Sequence, residues 1–372
     1  MAVNRPLVRN APDRDHGQMD IRTLARHLGL SIGTVSRALN DRKDVSPETR
    51  KRVVEAAAAH GYIPNQSGRT LRSGRTGTIG FMLTLEHDSA IHGDPFFMAL
   101  LEGLQNGLSE HDLDLVVLLA RKGEDGLTFL RRHVARGTVD GWVLSGTNRA
   151  DPRIHFLLDR GIPFVALGRT ATERDYAWID LDFESLVTQA MALLTEAGHY
   201  RIGLVAPPVT INNSHIVVER YRAALERASL PFDPALVHHG ETDESDGEAT
   251  ARELMALADR PTALLLMGET APVGAYRALR GMGLEPGRDV AVIGLRDNPA
   301  CRALSPDLTC FTLDLDDLGL ALAQGVVALL PGQRRPGVPL VQMLWAMNLR
   351  MGQSHVGMPA ASHGQAMTIA EQ

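Results

Sequence analysis

The chain is predicted to carry an N-terminal all-α head built on a helix-turn-helix, followed by an α/β body of parallel sheets with helices on both faces. Three observations carry this reading. Across residues 20–40 apolar side chains fall on helical spacing in two short stretches with a glycine between them. From Thr78 onward, apolar runs of strand length alternate with amphipathic stretches of helix length, in two successive series. And 372 residues, 44% of them hydrophobic, exceed one typical domain, so two or three folded units are expected.

In the head, Ala25, Gly29 and Val35 stand where a helix-turn-helix needs a small residue at the helix contact, a turn residue tolerant of positive φ, and a β-branched anchor. Ile21, Leu24, Leu28, Leu30, Val35, Ala38 and Leu39 form a miniature core on the same period. Ser31 is a natural N-cap for the second helix. Its positions Ile32, Gly33, Thr34, Ser36 and Arg37 are read as exposed, with small, hydroxylated or guanidinium-bearing side chains that suit the major groove of duplex DNA. Arg37 is the first candidate for base readout through a bidentate contact to guanine, with a phosphate clamp as the alternative. Ser31, Thr34, Ser36 and Asn40 are assigned to phosphates, which fix register without reading sequence. Ser46 caps a third helix, with Pro47 in its first turn and Glu48 near the positive end of its dipole, and Gly61 stops it.

Charge agrees once it is divided. The whole chain carries −6, but residues 19–75 hold eleven Lys/Arg against five acids, a net of +6 that leaves −12 on the remainder. A basic head on an acidic body binds phosphates locally while the body stays off the duplex.

The stretches LSIGTVSRALN, VSPETRKRV, GYIPNQ and RTLRSGRTGTIG follow one another in this order between Leu30 and Gly80. In them, and over nearly all its length, the chain resembles the lactose/galactose-repressor (LacI-type) family of bacterial transcription regulators. The resemblance implies that Ile32 and Gly33 occupy the specificity-determining positions, where a methyl contact and close backbone approach would do the discriminating. It implies a hinge helix from Pro64-Asn65 to Arg72-Ser73-Gly74 that forms when two subunits meet on DNA. There Leu71 would wedge into the minor groove and kink the duplex, Asn65 would cap the helix, and Arg69, Arg72 and Arg75 would reach phosphates. Gly68, where the family has alanine, costs about 1 kcal/mol of helix propensity.

In the body, strands are predicted near 79–85, 114–119, 141–145 and 164–167, then near 202–206, 263–267 and 290–294. Helices are predicted near 96–108, 128–136, 154–160, 185–196, 217–227, 248–258 and 272–280. By resemblance these series become two lobes of a periplasmic-binding-protein-like core, joined near Asp180 and crossed again near Phe311 and Pro331. The expected layout is a disordered tail at 1–18, the head at 19–62, the hinge at 63–76, the core at 77–351 and a flexible tail at 352–372. Lobe 1 is assigned about 77–180 and 311–331, and lobe 2 about 182–308 and 337–350.

Ligands of open α/β sheets sit beyond the strand carboxyl ends, so the cleft is sought there. Asp94-Pro95-Phe96-Phe97 resembles the family's Asn-Pro-Phe-Phe, which makes Asp94 a polar contact and Phe96 and Phe97 stacking candidates. Trp178 and Asp182 fall in the turn where the family has an apolar residue and an Asp-Asn pair, and Phe183 replaces that Asn. His87, Asn148 and Arg169 follow strand ends on the cleft side. Two positions depart from the sugar-binding members: Val217 stands for an arginine, and Arg296, before Asp297, stands for an aspartate. Arg296 is therefore expected either to grip a carboxylate or phosphate of the ligand or to pair internally with Asp297 or Glu269, both counted in the site.

The reading is a cytoplasmic homodimeric repressor of sugar uptake or catabolism genes. A sugar or sugar-derivative effector between the lobes releases it from, or loads it onto, a near-palindromic double-stranded DNA operator. A solute-binding protein is the alternative, but would need an export signal and has no use for residues 20–76. No nucleophile-elbow Gly-x-Ser-x-Gly, phosphate-binding loop or metal-ligand His pair occurs, so no enzyme, cofactor or metal is expected. No run of about eighteen apolar residues occurs, so no membrane span is expected. Cys301 and Cys310 are assigned to packing.

Overall fold

The computed structural model describes residues 20–39, 42, 44–62, 75–84, 95–121, 123–334 and 337–356. The chain divides into two compact units, one ending at Arg75 and the other beginning at Thr76. The tail at 1–18, Asn40, His87, Asp94, and Asn65, Arg69 and Leu71 of the hinge lie outside the described residues.

The head is three helices, α1 (Ile21–Leu28), α2 (Ile32–Leu39) and α3 (Pro47–Ala59), closed around Leu24, Ala25, Val35, Ala38, Val45, Val53 and Ala57. Each start has a local cause. Asp20 accepts the Thr23 N–H at 2.7 Å, Ser31 the Thr34 N–H at 3.1 Å and Ser46 the Thr49 N–H at 3.2 Å, each satisfying an orphan donor of a first turn. Gly29 ends α1 at φ +67°, a left-handed turn that a side chain would strain, and this sets the entry into α2.

The second unit holds two sheets. The first has the order β11-β5-β4-β3-β1-β2, with β1 (Thr78–Thr84), β2 (Asp114–Ala120), β3 (Gly141–Leu144), β4 (Phe164–Leu167), β5 (Ala177–Leu181) and β11 (Gln342–Trp345), all parallel. The second has the order β12-β10-β9-β8-β6-β7, with β6 (Ile202–Ala206), β7 (Val237–His239), β8 (Ala263–Leu266), β9 (Ala291–Arg296), β10 (Thr309–Thr312) and β12 (Asn348–Arg350), only β12 antiparallel. Central strands read as continuous apolar runs because helices cover both faces. On the first sheet these are α4 (Pro95–Ser109) and α11 (Leu315–Val327) against one face, and α5 (Gly126–Arg136) and α6 (Pro152–Asp159) against the other. On the second they are α7 (Phe183–Glu196) and α8 (Asn212–Arg227), opposed by α9 (Glu244–Met255) and α10 (Ala271–Gly281).

Two helix pairs touch backbone to backbone. A Cβ on Gly103 or Gly319 would collide with the carbonyl of Asp316 or Leu100 across the α4–α11 contact, and one on Gly247 or Gly274 with that of Ala271 or Glu244 across α9–α10. These glycines let the helices approach so closely.

The lobe boundaries need correction at the C-terminal side. β10, containing Phe311, pairs with β9 and belongs to the second sheet, whereas β11 pairs with β5 and belongs to the first, although 337–350 was assigned to lobe 2. The chain thus passes between lobes after β5, between β10 and α11, and between β11 and β12. Edge strands as short and exposed as β11 suit either sheet by pattern, and only tertiary pairing chooses. Nor does the C-terminal tail begin at 352: Ser354 and His355 are buried, Ser354 Oγ accepting the Thr309 N–H at 2.8 Å and His355 Nδ1 lying 2.7 Å from Thr309 Oγ1. Cys301 and Cys310 are buried in the second sheet's α9–α10 core, and burial pushes their thiols up to about 11 and about 12.

Candidate functional site

On the head, Ser31, Ile32, Gly33 and Arg37 share an exposed face of α2, with Ile32 46% exposed, while Thr34 is half-buried. Ser31 Oγ and Thr34 Oγ1 lie 2.8 Å apart, so both hydroxyls are engaged at the cap. The Arg37 side chain folds back over Gly33, where a Cβ would stand 3.5 Å from Nη1. Its Nε is 3.2 Å from the Asp44 carboxylate, an exposed pair that is worth little and opens cheaply to a phosphate or base. Ser36 is a correction: it is buried beside Val35, because the stripe of α2 facing the other helices runs through Val35, Ser36 and Ala38 and admits a small hydroxyl.

In the body, the carboxyl ends of β1, β3, β6, β8 and β9 converge on a cavity of about 380 Å³. Its apolar wall includes Leu83, Phe97, Leu127, Pro207, Met267 and Leu295, and its polar wall Asn148, Asn213, Glu241, Thr242 and Glu269. A smaller space of about 140 Å³ shares Phe97, Ser145, Gly146, Ile211 and Asn213 with it and reaches Phe96, Arg169 and Asp180. The two form one cleft between the lobes.

Contacts between the lobes close over it. The segment after β3 pairs antiparallel with the segment after β6: the Arg149 N–H donates to Thr210 O and the Asn212 N–H to Thr147 O, each at 3.0 Å, with Asn148 opposite Ile211. From the second lobe, the Arg296 guanidinium lies 5.2 Å from the Phe96 ring centroid of the first. The loop before this pairing is braced by a buried ion pair: Arg153 bonds Asp151 at 2.7 Å and the carbonyls of Ser145 and Gly146 at 3.1 and 2.8 Å.

The predicted effector residues separate accordingly. Phe96, Phe97, Asn148, Arg169 and Glu269 line the cleft. Arg169 does so as a tie, bonded to Asp180 at 2.8 Å and to Glu184 of α7 at 2.7 Å, with Trp178 5.4 Å beneath it. Burial works against its charge, but the two carboxylates outweigh burial and raise its pKa; burial also pushes the Asp180 carboxyl above the usual range, against the pull of Arg169. Trp178 does not line the cleft: on β5 it alternates with Ala177 and Ile179 and packs toward the α5–α6 layer. Asp182 is spent capping α7, accepting the Ser185 N–H at 2.9 Å, and Asp180 faces the cleft in its place.

Arg296 lines neither space. It is buried and bound by both oxygens of Glu269, at 2.9 and 2.6 Å, the internal pairing rather than the ligand grip. Asp297 is held by Arg302 at 3.0 Å and also stands outside the cleft. Residues that the sequence reading passed over include Asn213, whose Oδ1 is buried without a hydrogen-bond partner among the described residues, and Asp151, Arg153, Glu241 and Thr242. An asparagine between a predicted strand end and the helix predicted near 217–227 was the available signal for Asn213, and the helix in fact begins at Asn212.

Residues 20–65 match the family described as bacterial regulatory proteins, lacI family, and residues 191–352 match the periplasmic binding protein-like domain. The chain is 31% identical over 320 residues to the HTH-type transcriptional regulator CelR of Thermobifida fusca, covering 86% of this chain and 94% of CelR. It is 35% identical over 280 residues to the HTH-type transcriptional regulator AglR of Rhizobium meliloti, covering 75% and 78%. Among solved structures it resembles a CelR–cellobiose complex, with TM-score 0.68 and 28% identity over 91% of this chain and all of that one. The fold also matches a lac repressor dimer bound to operator, with TM-score 0.79 and 21% identity over the same share of each chain. The chain belongs to the lacI family of bacterial regulatory proteins: it is a DNA-binding transcriptional regulator whose reading head is joined to a periplasmic-binding-protein-like core.

Proposed function

We propose that the protein is a homodimeric repressor of sugar-utilisation genes, acting in the cytoplasm by binding rather than turnover, whose effector is a neutral di- or oligosaccharide. One observation carries the ligand class. Among the described residues the only cationic side chain lining the 380 Å³ cavity is Arg153, and it is spent on Asp151. An anionic sugar would meet Asp151, Glu241 and Glu269 with no guanidinium free to answer it, whereas hydroxyls find amide, carboxylate and carbonyl partners beside the Phe97 face. The notion of a carboxylate or phosphate gripped by Arg296 gives way, because Glu269 already occupies the Nε–Nη2 fork of that guanidinium and Nη1 donates to the Asp297 carbonyl. The likeness to CelR, solved with cellobiose, fits a disaccharide-sized ligand.

Dimerisation is supported by the edge of the first sheet, where Val117 and Leu119 of β2 and Met98 of the adjoining α4 are exposed at 39%, 52% and 62%. In the head, Arg37 reads a base, Ile32 and Gly33 discriminate by contact, and Ser31 and Thr34 serve phosphates. Asn40 and the hinge residues Asn65, Arg69 and Leu71 complete the interface.

Calorimetric titration checks the ligand class. Cellobiose, maltose and melibiose are the neutral probes, and cellobionate and glucose 6-phosphate the anionic ones. At least one neutral disaccharide is expected to bind at micromolar levels, with Asn213→Ala weakening it by about 10-fold or more. Binding in this cleft that prefers an anionic probe would overturn the neutral class.

A further inference from the structure

We infer a second ligand site, for a small organic anion, on the outer side of the backbone pairing that joins the two lobes. A recess of about 310 Å³ opens there. Arg149 of the first lobe forms one wall. The second lobe supplies Val209 from the loop after β6, one face of α8 between Ser214 and Arg222, and His239 at the end of β7. It shares no lining residue with the main cavity.

Its chemistry is the opposite of the main cavity's. Two guanidiniums, Arg149 and Arg222, face it with one carboxylate, Glu219. The Arg149 side chain has no hydrogen-bond or ion-pair partner among the described residues, and Arg222 has only the Phe232 ring, 4.3 Å from its guanidinium carbon. His215 Nε2 is 2.7 Å from Val209 O, and His239 Nδ1 3.2 Å from Pro207 O, so each imidazole is oriented by a carbonyl while its other nitrogen stays free of such partners among the described residues. Val209, 55% exposed in the loop, and Val218 give the recess apolar flanks. A charged group held between guanidiniums, on a compact body resting against valines, is what this surface accommodates.

Position gives the site a consequence. Arg149 donates its own backbone N–H to Thr210 O, one of the bonds that join the lobes. An anion bridging Arg149 to Arg222 therefore favours the closed pairing, and by reciprocity it raises the main cavity's affinity for its ligand. The lobe pairing becomes the element that both sites bias.

Titration of the full chain at constant ionic strength with inorganic phosphate, glucose 6-phosphate and citrate, with glucose as the neutral control, tests this. At least one anion is expected to bind, with Arg149→Gln and Arg222→Gln each weakening it by about 10-fold. Asn213→Ala, in the main cavity, is expected to change it by less than about two-fold. Hydrogen exchange at the Arg149 and Asn212 amides is expected to slow when the anion is bound. Arg149 lies on an exposed loop, so its variant reports even if Arg222→Gln disturbs α8. Which anions bind separates phosphate esters from carboxylates. Absence of binding by all three through about 10 mM, where even a millimolar site fills, would overturn the site. So would unchanged affinity in Arg149→Gln, or loss in Asn213→Ala alone.

Discussion

Glu269→Gln is expected to destabilise the core by about 3–5 kcal/mol, because it leaves the Arg296 guanidinium buried without its counter-charge. Arg296 is 6% exposed and directs Nε and Nη2 at the two Glu269 oxygens, while Nη1 donates to the Asp297 carbonyl at 3.2 Å. The amide keeps one acceptor and loses the charge. A fall of roughly 10 °C in the melting midpoint of the core follows. Replacing both partners, Glu269→Leu with Arg296→Met, removes the desolvation cost together with the attraction and is expected to recover most of that loss. Thermal unfolding of the three proteins decides it: equal stability of Glu269→Gln and wild type would mean that the pair is not a closed buried unit. The same variant has a second reading. With Glu269 neutral, the cleft wall loses a negative charge, so affinity for cellobionate or glucose 6-phosphate is expected to rise relative to neutral disaccharides.

Arg37→Ala is expected to cost about 1–3 kcal/mol of operator affinity and to relax base preference at one position of each half-site. Its guanidinium stands on the exposed face of α2, tethered among the described residues by an exposed ion pair to Asp44 that yields to a stronger acceptor. Binding measured across operator variants and salt concentrations separates the two roles. Base readout removes discrimination at a single position. A phosphate clamp weakens every sequence alike and lowers the salt slope by about 1. Asp44→Asn frees Arg37 in the unbound head and is expected to strengthen sequence-blind binding.

What the sequence made legible follows the range of the forces involved. Caps and turns are local, so Ser31 and Ser46 cap as their residue types predict, and Gly29 takes the left-handed turn. The alternation of apolar runs is nearly local, and it located most central strands of both sheets and their covering helices. β5, read as a turn, and the short strands β7, β10, β11 and β12 escaped it. Their pairing depends on segments far away in the chain, and the exposed β11 carries no buried face to betray its sheet.

The cleft shows the same division. Strand ends pointed to His87, Asn148 and Arg169; Asn148 and Arg169 line it, and His87 lies outside the described residues. What a side chain does there is set by the neighbours that folding packs against it. Asp182 was consumed by a cap, Trp178 faced the opposite layer, and Arg296 and Asp297 found Glu269 and Arg302. Asn213 became a site residue only because the two lobes meet across it.

Genome-wide pull-down with the full chain at low and high salt, with and without a neutral disaccharide that binds the cleft, joins the head to the cleft in one observation. A near-palindromic site beside sugar-transport or sugar-enzyme genes is expected to survive high salt, since base contacts decide which sites remain as phosphate contacts weaken. Its occupancy is expected to change when the disaccharide is added. Salt-sensitive, sequence-blind binding that the disaccharide leaves untouched would contradict a ligand-switched operator-binding regulator.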